Sequence, residues 1–503
     1  MIHTPHVDWF AISTILVLLG ASAIALLSAV LVPRRARRAT AAAVAAAGFA
    51  GGIVTSVWIY VDSNPGERVI ANGFYRDRWT ALAQVIICAI GFVTALISVE
   101  HIPSRRRGAD PARRDDHIAE YFALLLACAA GMAFFVGSAN LIVMFLALEW
   151  FSIALYIMCA IDYDLEGSLE AGLKYLIIGA FGSATLLFGM ALVYGATGAV
   201  GFIEISVKVF DLQIQNDVLL LLGLAMIIAG LAFKASAAPF HMWTPDVYEG
   251  APTPVTAYMS AATKVAALVL TIRLMNVAFN YEAHLWTWVW AGIAVASLVI
   301  GNLAALGQRN LKRMLAYSSV AQAGFMLIGV STATGLGAQG VMYYLVAYSA
   351  ASVGAFAVIA ARERELGEAV TLDNLAGFGW ERPFLGLAMW LFVFSFAGLP
   401  VGGGFVAKFY VFSAAYAHGW TWLVIVGVAA TLVSLYYYLA IVRAMYMRPT
   451  EERELGVVAV AGGSPARESL LHGAVAIALV VSVGTLFAVS PLIDVIRHAI
   501  YAI

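Results

Sequence analysis

Charge is what this sequence has least of. Only 12% of its 503 residues are Asp, Glu, Lys or Arg, about half the share found in soluble globular proteins. With 62% hydrophobic residues, that excludes a water-soluble domain and points to a polytopic membrane protein. The net charge of −1 gives no footing for nucleic acid. The three cysteines, Cys88, Cys128 and Cys159, lie in apolar runs without metal-ligand spacing. That argues against a disulfide framework and against a cysteine-bound metal. There is no G-x-G-x-x-G after a strand, no Walker loop and no haem or iron–sulfur spacing. Gly402-Gly403-Gly404 follows Pro400 in apolar surroundings and reads as a helix break, not a phosphate cradle. No redox cofactor and no metal are expected in this chain.

What is present is a series of long apolar runs. A membrane span needs about 20 mostly apolar residues, and fourteen such segments fall near 9–31, 40–61, 79–100, 118–136, 139–160, 169–195, 217–241, 253–276, 284–305, 312–332, 337–361, 384–416, 420–446 and 470–492. The first is too long for the apolar core of a signal peptide and lacks a basic leader, so it reads as a retained span. The longest connectors, near 101–117, 362–383 and 447–469, are polar and hold no soluble domain. An even number of spans puts both termini on one side. Nineteen Lys and Arg residues fall in the odd-to-even connectors: Arg34, Arg35, Arg37, Arg38, Arg105, Arg106, Arg107, Arg113, Arg114, Arg309, Lys312, Arg313, Arg362, Arg364, Arg382, Arg443, Arg448, Arg453 and Arg467. The opposite face holds six: Arg68, Arg76, Arg78, Lys208, Arg273 and Arg497. That asymmetry places the odd-to-even connectors in the cytoplasm and both termini outside.

The four remaining basic residues, Lys174, Lys234, Lys264 and Lys408, lie inside apolar runs, as does Glu149. An ionisable group at the bilayer centre costs roughly 2.5–3.5 kcal/mol on insertion scales. Five of them suggest a route for protons or ions. Glu149 is about ten residues into its span, roughly 15 Å deep at the helical rise. It is either a protonated carboxyl bonded to a neighbour or a carboxylate paired with a lysine, Lys234 being the expected partner. Lys264, near the middle of span 8, is either a static donor or a proton carrier; Lys408 poses the same choice. Lys174 is only one to two turns into span 6 and follows Glu170 at i+4, so it either snorkels as a helical ion pair or joins the relay.

Two segments interrupt their own helices. One runs from Phe233-Lys234 through Pro239 and His241 to Pro245-Asp246; the other runs from Phe396 through Pro400 and Gly403-Gly404 to Lys408. Proline removes a helical hydrogen bond and clashes with the preceding turn. Unwound backbone at membrane depth is tolerated only where protein or water surrounds it, so a lysine beside each break gains partners. Paired breaks in two halves are a pointer to a transporter's ion site. Lys234 and Lys408 are 174 residues apart, and the same offset carries Glu149 to Ala323 beside Gln322, and Lys174 to Tyr348. Spans 4–8 and 9–13 would form two five-helix units; five is odd, so the repeat is inverted. His241, Asp246 and Glu249 cluster after the first break and read as an access path or cap in preference to a metal site. Lys312 and Arg313 read as topology anchors, and Tyr343, Tyr344 and Tyr348 as either core or relay hydroxyls.

The stretch Phe233–Val255, with its Lys234, Pro239, His241, Pro245, Asp246 and Glu249, closely resembles the antiporter-like membrane subunits of respiratory complex I, the proton-pumping NADH:quinone oxidoreductase. Leu148-Glu149-Trp150, Arg313 to Ser319 and Phe405 to Tyr410 agree, so the resemblance covers roughly 80–450. It implies an all-α fold of fourteen transmembrane helices with inverted five-helix repeats and broken helices 7 and 12. It also implies roles: Glu149 as the helix 5 glutamate, Lys234 as the helix 7 lysine that pairs with Glu149, Lys174 as the helix 6 lysine, Lys264 as the helix 8 relay lysine and Lys408 as the helix 12 lysine near an outer half-channel. A lysine at 408 resembles the subunit N branch, since the sister subunit M usually has glutamate there. One departure is Gln322, where family members commonly carry a histidine; glutamine cannot titrate.

The resemblance further implies that NAD, FMN, iron–sulfur clusters and quinone belong to partner subunits, and that two sister antiporter-like subunits and small membrane subunits are partners within a bacterial inner membrane. The expected organisation is a three-helix segment 1–117, repeat units 118–278 and 279–447, and a C-terminal helix within 448–503. Two other readings stay open: a subunit of a multisubunit Na⁺/H⁺ antiporter or related membrane-bound hydrogenase, and a non-conducting membrane scaffold.

Overall fold

The computed structural model describes residues 7–64, 66–101, 117–448 and 469–500. Almost everything in it is helix. Three helices lead: α1 (Ser13–Leu31), α2 (Arg34–Asp62) and α3 (Arg78–His101). Between α2 and α3 a two-residue hairpin pairs Arg68 with Tyr75 and Val69 with Phe74. The chain then forms α4 (Ile118–Val136), α5 (Leu141–Cys159), α6 (Glu166–Thr197), α7 (Phe202–Leu212), α8 (Val218–Lys234), α9 (Trp243–Gly250) and α10 (Thr253–Val277). The second half runs α11 (Ala283–Leu306), α12 (Leu311–Val330), α13 (Gly335–Leu366), α14 (Phe378–Glu381), α15 (Pro383–Ala397), α16 (Gly403–Ala417) and α17 (Thr421–Met447). Two more follow, α18 (Ser469–Phe487) and α19 (Val489–Ile500).

Eleven of the described helices are long and apolar enough to cross a membrane. The protein is an all-α integral membrane protein. Polar side chains cap the starts of α5, α8, α12 and α13: Asn140 accepts from the Val143 amide, Asp217 from Leu219 and Leu220, Asn310 from Lys312 and Arg313, and Thr334 from Gly337. Within the bundle α10 and α13 are central, buried almost all round, while α1, α2, α6 and α17 keep an apolar face outward. A helix hydrophobic on all sides must be enclosed by others or by lipid, and these sequences sort between the two.

Both expected interruptions are present: α8 ends at Lys234 and α9 begins only at Trp243, and the segment 384–416 divides into α15 and α16. Several other placements differ from the reading of the sequence. Helix α7 was not expected; it buries Phe202, Ile205 and Val209 and exposes Ile203, Val207 and Phe210. Arg273 is no loop residue. It is buried in the last turns of α10, where its guanidinium takes both oxygens of buried Asp77 at 2.7 and 2.6 Å. Lys312 is more than an anchor: its ammonium is buried against the Ala251 carbonyl and Thr253. The basic residues 105–107, 113, 114, 453 and 467 lie outside the described residues.

Candidate functional site

The two breaks are built alike. Helix α8 ends at Lys234, and the unwound stretch satisfies its backbone from outside: the Ala238 amide donates to Ser297 Oγ at 2.8 Å, and the Trp243 indole donates to the Phe233 carbonyl at 3.2 Å. Pro239, which has no amide to donate, sits inside this stretch. In the second break Gly398 takes a left-handed φ of 79° and Pro400 follows. Gly403 and Gly404 open α16, where the Gly404 amide donates to Ser395 Oγ at 3.2 Å. A side chain at 404 would overlap the Ser395 carbonyl, so the close approach needs glycine.

Three lysines meet the interior. Lys234, Lys264 and Lys408 are 2%, 0% and 4% exposed, and none makes an ion pair within 4 Å among the described residues. Each is instead held by neutral oxygens. Lys234 Nζ donates to Ser152 Oγ at 2.7 Å, Lys264 Nζ to Ser319 Oγ at 2.5 Å, and Lys408 Nζ to the Ala397 carbonyl at 3.2 Å and Thr431 Oγ1 at 3.3 Å. Aromatic faces complete the surroundings. Lys234 lies 5.5–5.7 Å from the rings of Phe151, Tyr156, Tyr175 and Phe233, and Lys408 lies 4.0 Å from Phe325. Lys234 is the last residue of α8, and Lys408 bonds the last carbonyl of α15. A helix C-terminus carries about half an elementary negative charge, so both breaks offer an ammonium the same support.

Glu149 does not touch Lys234. It is half-buried on α5, its Oε1 is without a hydrogen-bond partner, and Ser152, one turn on, takes the lysine instead. Lys174 is also placed apart from the three interior lysines. Its ammonium is partly exposed and bonds Glu170 at 2.6 Å and Asp246 at 2.8 Å. Asp246 in turn receives Arg313 at 2.6 Å, and Arg313 also reaches Glu249 at 2.8 Å. These residues line a cavity of about 700 Å³ with Lys312 and Glu363. Burial pushes the Asp246 carboxyl up, but the bonds from Lys174 and Arg313 outweigh it and hold the group below its ordinary value.

Between Lys264 and Lys408 lie two groups of uncharged hydrogen bonds. Tyr348 donates to Ser319 Oγ at 2.9 Å, beside Lys264. One turn away Tyr344 donates to Gln322 Oε1 at 2.6 Å, and Gln322 Nε2 donates to Tyr438 and to the Phe396 carbonyl, both at 3.1 Å. Ser318 and Tyr438 share a hydrogen bond of 2.5 Å. Phe396 precedes Ala397, the residue that holds Lys408. Sequence reasoning singled out Gln322, Tyr344 and Tyr348 without saying what they bond. It missed Ser152, Ser319, Thr431 and Tyr438, whose only signal is a hydroxyl inside an apolar run. Tyr343 bonds away from both groups, to the Thr485 carbonyl. Among the described residues no group of three His, Cys, Asp or Glu is placed to hold a metal ion.

Comparison with known proteins agrees with this architecture. Residues 138–434 match the family described as NADH:quinone oxidoreductase/Mrp antiporter, transmembrane. The chain is 40% identical over 376 residues to NADH-quinone oxidoreductase subunit N of Trichlorobacter lovleyi, covering 75% of each chain. It is 36% identical over 453 residues to a subunit N of Roseiflexus castenholzii, covering 88% of each. It superposes on a chain of respiratory complex I from Thermus thermophilus, solved with bound aureothin, with a TM-score of 0.76 and 28% identity over 96% of this chain and 98% of that one. The lysines, the split helices and the extent of these matches agree: the chain belongs to the NADH:quinone oxidoreductase/Mrp antiporter transmembrane family, among the subunit N relatives of complex I.

Proposed function

We propose that this chain moves protons across a bacterial inner membrane as a subunit of an NADH:quinone oxidoreductase, coupled to electron transfer in partner subunits. Two sister antiporter-like subunits and small membrane subunits are its partners in this reading, and NAD, FMN, iron–sulfur clusters and quinone stay with them. The observation that carries the reading is the set of three buried lysines held only by neutral oxygens and aromatic rings. An ammonium held by hydroxyl and carbonyl oxygens can hand a proton on through them, which a tight ion pair would hinder. Glu149, Lys174, Lys234, Lys264 and Lys408 are the relay residues. Pro239, Pro400, Gly403 and Gly404 keep the two breaks open. The units 118–278 and 279–447 act as inverted halves between a leading segment 1–117 and a tail 448–503, with both termini outside.

The relay works by changing one neighbour at a time. When Glu149 is charged it favours the ammonium of Lys234; when it is neutralised, Lys234 gives its proton towards Lys264, and the groups of Tyr348 and of Tyr344, Gln322 and Tyr438 lead towards Lys408. Gln322 cannot carry a proton itself, so the transfer passes its side chain by way of hydroxyls and water. The test is Lys234→Ala in the assembled complex, scored as protons moved per NADH oxidised in inverted membrane vesicles. Sharp loss is expected; undiminished pumping overturns the reading. The matched family also includes Mrp antiporters, which gives the exchanger reading its standing. Sodium-dependent proton exchange without NADH would favour it.

A further inference from the structure

Each break is walled by the second span after it. The first break lies between α8 and α9; α10 follows, and then α11 supplies Ser297, whose Oγ accepts from the Ala238 amide at 2.8 Å. The second break lies between α15 and α16; α17 follows, and then α18 packs against both halves of the break. Helix α18 buries Leu471, Ala474, Val475, Ala478, Ser482 and Thr485 and turns Val480 and Phe487 outward. The buried positions recur every three to four residues, which is one face of a helix. The family match ends at residue 434, before α18 begins.

That face ends against the glycines of the second break. A methyl on Gly403 would overlap Thr485 Oγ1 and stand 2.9 Å from the Ala347 Cβ, and one on Gly402 would stand 3.5 Å from the Ser482 carbonyl oxygen. From α15, Ser395 closes on Gly404. Thr485 is fixed in turn. It lies in the last turn of α18, where carbonyls have no intrahelical amide ahead of them, and the Tyr343 hydroxyl donates to its carbonyl at 2.6 Å. Tyr343 and Ala347 are one turn apart on the same face of α13. The Tyr343 ring stacks on Tyr410 of α16, two residues beyond Lys408, with centroids 5.9 Å apart. The lysine itself lies across the break: a methyl on Gly398 would stand 2.8 Å from its Cδ, and its ammonium donates to the Ala397 carbonyl at 3.2 Å.

We propose that Tyr343 is a positioning residue for Lys408, and that α18 is the wall against which the second break is held. The Tyr343 hydroxyl locks Thr485 against Gly403, and Thr485 and Ser395 hold the glycine backbone between them. The Ala397 carbonyl is thereby kept where it meets the lysine. Ser297 of α11 does the corresponding task at the first break. This inference rests on the proton-relay reading above and adds to it a residue that neither carries a charge nor touches the ammonium. It gives α18 a part in placing Lys408, where a terminal helix would otherwise serve only to anchor the chain.

The test uses the whole complex in native membrane vesicles, with NADH-driven proton pumping scored per assembled complex. Tyr343→Phe keeps the ring on Tyr410 and removes the hydroxyl. It is expected to lower pumping about two- to tenfold, the scale of one lost hydrogen bond. Gly403→Ala should lower it at least as much, and adding Thr485→Ala, which takes away the overlapping hydroxyl, should restore part of the loss. A packing role alone would change the amount of assembled complex and leave pumping per complex at the wild-type value. Wild-type pumping per complex in Tyr343→Phe or Gly403→Ala, or a double variant no better than Gly403→Ala, therefore overturns the inference; Lys408→Ala inactive in the same assay shows that the relay still stands. If Tyr343→Phe does not assemble, Gly403→Ala with and without Thr485→Ala decides by the same readout. Full pumping in Lys408→Ala removes the relay reading at this lysine, and the inference with it.

Discussion

Lys234, the last residue of α8, bonds Ser152 of α5, one turn beyond Glu149, at 2.7 Å. Its charge is therefore supported by a hydroxyl, four aromatic rings and a helix C-terminus. Removing the hydroxyl leaves a buried donor unsatisfied, which costs about 1–3 kcal/mol. Ser152→Ala is expected to lower proton yield and thermal stability together, while Ser152→Thr restores both. An alanine variant with wild-type yield would show that the bond has no part in the relay.

Arg273 and Asp77 fasten the leading helices to α10, the helix that carries Lys264. Thr80 and the Val136 carbonyl complete the guanidinium's bonds at 2.8 and 3.1 Å, and Tyr75 lies 4.3 Å from it. Removing one partner of a fully buried pair strands the other, at a cost of about 3–5 kcal/mol. Asp77→Asn and Arg273→Met should each lower the melting temperature of the purified complex, and the double variant should lose less than the sum. Additive losses would mean that the two residues act separately.

Asp246 joins Lys174 on α6 to Arg313 on α12. Because its folded value is lowered, the stability it contributes is present above the ordinary carboxylate range and is lost as pH falls through the folded value. Thermal stability should therefore drop on acidification, and Asp246→Asn should start lower and respond less to acid. Identical acid profiles for variant and wild type would exclude Asp246 as the source.

Gln322 fixes the end of α15 through the Phe396 carbonyl and so the neighbouring carbonyl that holds Lys408. Gln322→Leu breaks three hydrogen bonds at once and is expected to reduce pumping by about tenfold or more, as roughly 0.5–1.5 kcal/mol per bond implies. Gln322→His keeps a donor and an acceptor and should retain most activity. If leucine is tolerated, the link from Lys264 to Lys408 does not pass this position.

How much of this was legible in the sequence follows from range. Long apolar runs specify helices by themselves, because each residue's burial and backbone bonding are local matters, and Pro239, Pro400 and Gly404 mark the breaks for the same reason. The isolated lysines were conspicuous because charge in an apolar run is expensive wherever the run ends up. What each lysine bonds was not legible. Ser152 with Lys234 and Ser319 with Lys264 join residues 82 and 55 positions apart, and a serine in an apolar run gives no sign of its partner. Arg273 reads as a face-marking charge until Asp77, 196 positions away, closes on it. The sequence by itself determined the helices, their interruptions and the identity of the charged groups. Only the tertiary structure decided which neutral oxygen meets which charge, because hydrogen bonds act over about 3 Å between helices that the chain brings together only on folding.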